Sequence, residues 1–364
     1  MKAEITINAS SGSYKAAVGE NIFEEELANY LSQKQADKLF VLIDENVFRH
    51  HWKTIQPILS ELVTNVHFLQ VPEGESSKSV RFWSKTLDFL LNAGIRRNVP
   101  LVVIGGGVTG DLGGFTAATA LRGIPLIHVP TTVLAMVDSS IGGKTGVNHA
   151  TGKNLIGSFY QPDRVIADTR FLESLPKTEW INGLSEILKY AAIRDEAIFS
   201  EAEIFMEPDL QSMNKKKLIH LIAKCIKIKA DIVEEDEFEG GIRAFLNYGH
   251  TFAHALEKAC DFDTISHGEA VYLGMLAAQE LSNLTGADLQ TTKLSAYRSL
   301  YNFRISKEEL SYNQLNEYMK ADKKRTDEHI KFVLLNNWQE PEVKTVKDKT
   351  LINQAWDAAS NELS

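Results

Sequence analysis

The chain has 364 residues, enough for two domains and a large core, with apolar and charged fractions ordinary for a globular protein. Its formal net charge of −9 argues against a general nucleic-acid binder, which would present a basic face, but leaves room for an anionic small substrate held by a local cluster of Lys and Arg. No apolar run is long enough to span a bilayer, and Cys225 and Cys260 sit in helix-like patterns that do not form a disulfide framework, so a reducing cytoplasm is the expected location.

In chain order, MKAEITINAS alternates like a strand. KLFVLID (38–44), VTNVHFLQV (63–71), VPLVVIGGG (99–107), IPLIHVP (124–130) and RVIAD (164–168) are apolar, β-branched runs that predict strands. SKSVRFWSKTLDFLLNAG (77–94) predicts a helix among them. Strands alternating with helices imply a mostly parallel sheet covered on both faces, with ligands beyond the carboxyl ends of the strands. GGKTGVNHATGKNLIGSFYQP (142–162) reads as a long functional loop, its glycines surrounding Lys144, Lys153 and Asn154.

From about Lys177 to Ala321 nearly every segment has helical period: 177–193, 215–237, 268–284 and 292–303 are the clearest. IKFVLLNN (330–337) predicts one late strand before a last helix. The change of character divides the chain into an α/β domain, 1–175, and an all-helical domain, 176–364.

IGGGVTGDLGG (104–114) matches G-x-G-x-x-G at Gly105, Gly107 and Gly110, after a strand and opening a helix. Glycines there let the backbone approach a pyrophosphate whose charge the helix N-terminus favours. The acidic residue usual about 20 positions on is missing. Asp44 and Asn46, at the end of FVLIDENV, and Glu75 and Lys78, in PEGESSKS, offer other bonds to ribose hydroxyls. A plain tight turn is the alternative for either glycine stretch.

Several charged residues recur beside glycine and histidine motifs: Glu186 and Lys189 in GLSEILKY, Lys229 in an apolar helix, Arg243 and Asn247 before His250, and Lys323 and Lys324. Taken singly, each reads as a surface charge or a surface ion pair. NYGHTFAHALEKACDFDTISHGEAV (247–271) spaces His250 and His254 four apart, as ligands of one ion on a helix face, with His267 following and Glu257 and Glu269 nearby. A catalytic Zn²⁺ takes three protein ligands, often two His and a carboxylate. The three histidines, or Glu186 with two of them, satisfy that need, and spacing does not choose.

GGGVTGDLGGFTAAT, VPTTVLAMVDSSIGGKTGVNHATGKNLIGSFYQP, GLSEILKY, LNYGHTFAHALE and HGEAV, in this order, resemble the 3-dehydroquinate synthase family of sugar phosphate cyclases, from about Val41 to Leu335. The resemblance implies a Rossmann-like N-terminal domain that binds NAD and an all-helical domain that binds metal and substrate. It implies a cytoplasmic homodimer, one NAD⁺ used catalytically, and one divalent metal, Zn²⁺ or Co²⁺. The implied activity is that of a lyase of the shikimate pathway, which leads to chorismate and the aromatic amino acids. 3-Deoxy-D-arabino-heptulosonate 7-phosphate becomes 3-dehydroquinate and phosphate by transient C5 oxidation, phosphate elimination, re-reduction, ring opening and aldol closure.

Carried over by motif, the resemblance makes Glu186, His250 and His267 the metal ligands and places His254 by the substrate phosphate. Asp138, Lys144, Asn154, Lys189, Lys229, Arg243 and Asn247 match substrate-contacting positions, and Arg122 matches an arginine that reaches the partner subunit's site. Lys323 is the better match for a late phosphate contact, with Lys324 adjacent. For NAD⁺ the matches are Asp44, Asn46, Glu75, Lys78, the loop Gly105, Gly106, Gly107, Val108, Thr109, Gly110 and Asp111, then Thr131, Thr132, Lys144 and Lys153. Ala253 stands where the family usually has glycine, and Tyr272 where a smaller residue is common. The alternatives are a cyclase of the deoxy-inosose or valiolone type, whose substrate lacks a carboxylate, and a metal-dependent polyol or glycerol dehydrogenase, which would release NADH. The RxxxN spacing of Arg243 and Asn247 favours the carboxylated substrate.

Overall fold

The computed structural model describes residues 1–207, 209, 213–260, 264–307, 310, 312–323 and 330–363. The chain opens with β1 (Lys2–Ala9), β2 (Gly12–Gly19), α1 (Phe23–Lys34), β3 (Lys38–Asp44), α2 (Glu45–Leu62), β4 (Asn65–Val71), α3 (Val80–Asn92) and β5 (Leu101–Gly105). Next come α4 (Gly107–Thr119), β6 (Leu126–Pro130), β7 (Lys144–His149), β8 (Gly152–Phe159) and β9 (Arg164–Asp168). Then follow α5 (Lys177–Ile193), α6 (Ala197–Glu201), α7 (Lys215–Glu235), α8 (His250–Ala259), α9 (His267–Leu284), α10 (Thr292–Ser295) and α11 (Tyr312–Lys323). β10 (Lys331–Asn337), β11 (Glu340–Thr345) and α12 (Lys349–Ser360) close the chain.

Seven strands form one sheet in the order β1-β2-β9-β6-β5-β3-β4. Only the β1–β2 hairpin is antiparallel; every other pair in this sheet is parallel. The central strands are apolar on both faces. Leu39, Val41, Ile43, Val102 and Ile104 enter the core on one side, while Phe40, Leu42, Leu101 and Val103 enter the core on the other. That is the burial a parallel sheet requires, and it explains runs without polar alternation.

The chain forms two compact units, Met1–Trp180 with Gln211–Phe238, and Ile181–Leu210 with Glu239–Ser364. The first unit therefore includes α7, which the expected division at 175/176 put in the second half. Asn214 caps α7, accepting from the Lys216 and Lys217 N–H groups. Its apolar side lies on β1, and its end is tied there by the Asn8–Glu234 bond and by Ser10, whose N–H and hydroxyl both donate to Glu237.

Three expectations need correction. The stretch 142–162 is a β-hairpin, β7 on β8, and not a loop. Its glycines let two strands close in: a Cβ on Gly157 would stand 2.3 Å from the Thr145 carbonyl oxygen. Segment 292–303 is helical only at 292–295 and, as a single 3₁₀ turn, at Arg298–Leu300. The second unit is mainly helical but carries the β10–β11 hairpin, whose second strand, EPEVKT, begins with a polar run that hid it. Among the described residues no helix is long and apolar enough to cross a membrane.

His128, on β6, is buried against α4, its ring facing Gly110 and Gly114. Burial lowers its pKa to about 4. The unfolded chain binds a proton there near pH 6.5 and the folded chain does not. The stabilisation is complete above pH 6.5 and is lost as the pH falls towards 4, by up to roughly 3 kcal/mol. Urea unfolding between pH 7 and pH 4.5 should show this fall, and His128→Asn should flatten it; an unchanged slope would assign the loss to other groups.

Candidate active site

Three side chains of the second unit converge. Glu186 comes from α5, His250 is the first residue of α8, and His267 is the first residue of α9. One ligand atom from each lies within 4.8 Å of the others. Glu186 Oε1 stands 3.5 Å from His250 Nε2 and 3.3 Å from His267 Nε2. Its other oxygen, Oε2, pairs with Lys189 one helical turn on. Both partners of that pair are buried, so the reading of GLSEILKY as a surface ion pair does not hold.

Burial pushes the Glu186 carboxyl up, but the Lys189 charge and the two imidazoles outweigh it and hold it well below the usual carboxylate range. Burial acts the other way on His267, yet Glu186 and Glu257 raise its pKa to about 10. The set of two imidazoles and one ionised carboxylate fits a borderline divalent cation with one position left open.

Glycines hold these elements together. Gly249, at φ +79, turns the chain into α8 immediately before His250. Gly274, on α9, presses on it: a Cβ there would lie 2.2 Å from the Gly249 carbonyl oxygen. Gly268, next to His267, lies against Asn182 of α5, where a Cβ would meet Asn182 Cα at 2.4 Å. The Gly268 N–H donates to Asn182 Oδ1 (3.0 Å), and the Ser185 hydroxyl donates to the Gly268 carbonyl (2.6 Å). Ser266 and Glu269 form a capping box that starts α9, so Glu269 serves the helix end. Ala253 is buried where α8 meets Gly274. Tyr272 is filled in by stacking on Tyr301, ring centroids 3.9 Å apart, with its hydroxyl on the Leu294 carbonyl.

His254 stands one turn past His250, ring centroids 5.5 Å apart, and is exposed. It is not among the three converging ligand groups, so the i, i+4 histidine pair does not form the cluster. Arg243 is buried, and the Asn247 amide donates to Glu239 at 2.7 Å. The Lys323 side chain and Lys324 lie outside the described residues.

In the first unit the glycine loop follows β5 directly into α4. The N-cap is Gly106, with no side-chain cap, which leaves the first N–H groups of the helix to a ligand. Side chains would fill the cradle: a Cβ on Gly106 would meet Thr132 at 3.1 Å, and one on Gly107 would meet Ser139 at 3.3 Å. Val108 and Thr109 form the first turn with Gly110, and Thr131 closes on the loop, its N–H on the Gly105 carbonyl at 3.0 Å. Asp111 pairs with buried Lys78; burial pushes the Asp111 carboxyl up against the pull of that ammonium. Glu75 accepts from Asn148 (2.7 Å). Asp44 caps α2, accepting from the Asn46 and Val47 N–H groups, and burial raises its carboxyl above the ordinary range.

Asp138 lies in a π turn, Ala135–Ser139, and Lys229 bonds both its carbonyl (2.7 Å) and its carboxylate (3.0 Å). Exposed Lys144 opens β7; Lys153 and Asn154 are on β8, Asn154 at φ +57. Arg122 is exposed, at φ +66. Sequence reasoning placed Glu257 near the histidines without a contact of its own: its Oε1 lies 3.4 Å from His267 Nδ1. The signal was present, because Glu257 follows His250 by seven residues, two helical turns on one face.

The fold is that of the sugar phosphate cyclases. A solved 2-deoxy-scyllo-inosose synthase, complexed with carbaglucose-6-phosphate, NAD⁺ and Co²⁺, superposes with a TM-score of 0.84 at 28% identity, over 97% of this chain and 99% of that one. Profiles described as 3-dehydroquinate synthase N-terminal and C-terminal match residues 68–182 and 183–325. The 3-dehydroquinate synthase of Listeria monocytogenes serotype 4b (strain F2365) is 38% identical over 95% of this chain and 94% of its own. That of Salinibacter ruber (strain DSM 13855 / M31) is 41% identical over 82% of each. The chain belongs to the 3-dehydroquinate synthase family.

Glu186→Gln and His267→Ala should each lower bound divalent metal at least tenfold, measured by elemental analysis after gel filtration, whereas His254→Ala should retain it. Glu186→Gln breaks the buried ion pair with Lys189, at a cost of about 3–5 kcal/mol, so melting is followed alongside. Full metal content in a folded Glu186→Gln or His267→Ala protein would overturn the three-residue assignment.

Proposed function

We propose that this chain converts 3-deoxy-D-arabino-heptulosonate 7-phosphate to 3-dehydroquinate and phosphate, a lyase reaction of the shikimate pathway. The observation that carries the reading is the Glu186–His250–His267 cluster with Lys189 against it, in a chain of this family. We further propose the residues 1–175 as the core of NAD binding, the helical half as the seat of metal and substrate, and a cytoplasmic homodimer as the working form.

When bound, NAD⁺ supplies a hydride acceptor that is restored within each cycle, and a Zn²⁺ or Co²⁺ ion supplies a Lewis acid for the hydroxyl to be oxidised. The α4 N-terminus and its glycine cradle hold a pyrophosphate, with Asp44, Asn46, Glu75, Lys78, Asp111, Thr131, Thr132, Lys144 and Lys153 around the nucleotide. Glu186, His250 and His267 hold the ion.

Lys144, Asn154, Lys189, Asn247, His254 and Lys323 bind the substrate phosphate, together with the partner subunit's copy of Arg122. Their charge favours the leaving dianion, and electrostatic stabilisation of this kind is often the largest contribution to such a step. The proton lost from C6 passes to the substrate's own phosphate. Lys229, fixed by both oxygen types of Asp138, and Arg243 hold the carboxylate end, which keeps the opened intermediate oriented for aldol closure.

Identity to the two 3-dehydroquinate synthases, 38% and 41%, exceeds the 28% to the inosose synthase, which supports the carboxylated substrate. Phosphate release from the seven-carbon substrate with trace NAD⁺ and Zn²⁺ tests the reading. Turnover should exceed the NAD⁺ present many times over, with glucose 6-phosphate inert. No release, or NADH accumulating in step with substrate, would overturn it.

A further inference from the structure

The two imidazoles of the cluster are held in the same way. His250 presents Nε2 to Glu186 Oε1, and its Nδ1 lies 3.2 Å from the Tyr248 carbonyl oxygen. His267 presents Nε2 to the same Glu186 oxygen, and its Nδ1 lies 3.4 Å from Glu257 Oε1. An acceptor at Nδ1 keeps the proton there and aims the Nε2 lone pair at whatever Glu186 holds. For His250 the acceptor is backbone. For His267 it is one side chain.

Glu257 is 6% exposed, unusual for a carboxylate. Burial of a charge is costly without hydrogen bonds, and the His267 ring supplies one to this carboxylate. His267 is also the less enclosed ring, its side chain 34% exposed against 12% for His250. It opens α9, and the positive end of a helix disfavours a cation beside it. A carboxylate on the far side of the ring offsets that.

We propose that Glu257 is the positioning residue of the metal site: its Oε1 accepts the Nδ1–H of His267 and so fixes the tautomer, the ring plane and the direction of Nε2. The proposal rests on Glu186, His250 and His267 being the ligands of a divalent cation. It adds that the third ligand is competent only because α8 supplies both His250 and the carboxylate that orients the histidine of α9.

Full-length protein, exchanged to the metal-free form, is titrated with Co²⁺ and Zn²⁺ in competition with a chelator, for wild type, Glu257→Gln and Glu257→Leu. Gln keeps an acceptor and the volume but not the charge; Leu removes both acceptor and charge. The expected order is wild type, then Gln about tenfold weaker, then Leu weaker again, up to about 100-fold, with the visible Co²⁺ band altered in both variants. A role in packing alone would leave Leu equal to Gln or better. If the Leu protein does not fold, the Gln variant decides: Co²⁺ affinity within twofold of wild type and an unchanged band in a folded Glu257→Gln protein would overturn the proposal. Absence of Co²⁺ binding by the wild type would overturn the ligand reading and this one together; intact wild-type binding, lost in His267→Ala but kept in Glu257→Gln, would overturn only the role of Glu257.

Discussion

The buried carboxylate of Glu186 sets the terms for the helical unit. At 1% exposure it cannot rely on water, and its two oxygens take different partners: Oε2 the ammonium of Lys189, Oε1 the two imidazoles. An isolated charge in such a place would neutralise itself by a pKa shift, but here the neighbours push the other way. Three helices must therefore reach one point. That demand explains the glycines better than flexibility does. Gly274 and Gly268 are contact points where a methyl group would strike backbone, and they let α9 approach α8 and α5 closely enough for side chains as short as His and Glu to meet.

The parallel sheet meets a different constraint. Burying both faces of the strands leaves only their carboxyl ends for polar work, and β5 uses its end to launch α4 without a side-chain cap. α4 is apolar enough to sit against the sheet, and its Gly113 makes way for Val103, which a Cβ there would meet at 2.5 Å. The charged groups stand around that helix start in pairs, Lys78 with Asp111 and Glu75 with Asn148, while Lys229 arrives from α7 to grip Asp138. A π turn at Asp138 presents carbonyl and carboxylate to one ammonium at once, the kind of local irregularity that functional positions tolerate.

Much of this was legible in the chain itself. The strands at 38–44 and 164–168 and the helix at 177–193 fall where periodicity puts them, because their apolar pattern is uninterrupted. The hairpin at 144–159 was not legible, since its strands alternate glycine and polar residues and owe their pairing to close backbone approach. Strand β11 was hidden by its charges, and the short helix after 292 ended early where the local pattern promised more. α7 kept its helical period but changed its home, because periodicity records that a face is buried and not against what.

By itself the sequence determined the motifs: a glycine loop after a strand, a charged glycine-rich stretch, Glu186 with Lys189, and three histidines within eighteen residues. It could not choose between the metal-clamp pair that spacing suggested, His250 with His254, and a set drawn from distant segments; only the resemblance carried by the motifs made that choice. The tertiary structure brings together the set drawn from distant segments. Side chains at i and i+4 share a face, but whether both point at one place depends on what the facing helices bring, and α5 and α9 bring Glu186 and His267 to His250. It also gave Glu257 a partner: the helical repeat puts Glu257 on the face of His250, but that the imidazole of His267 reaches it is a fact of the packing.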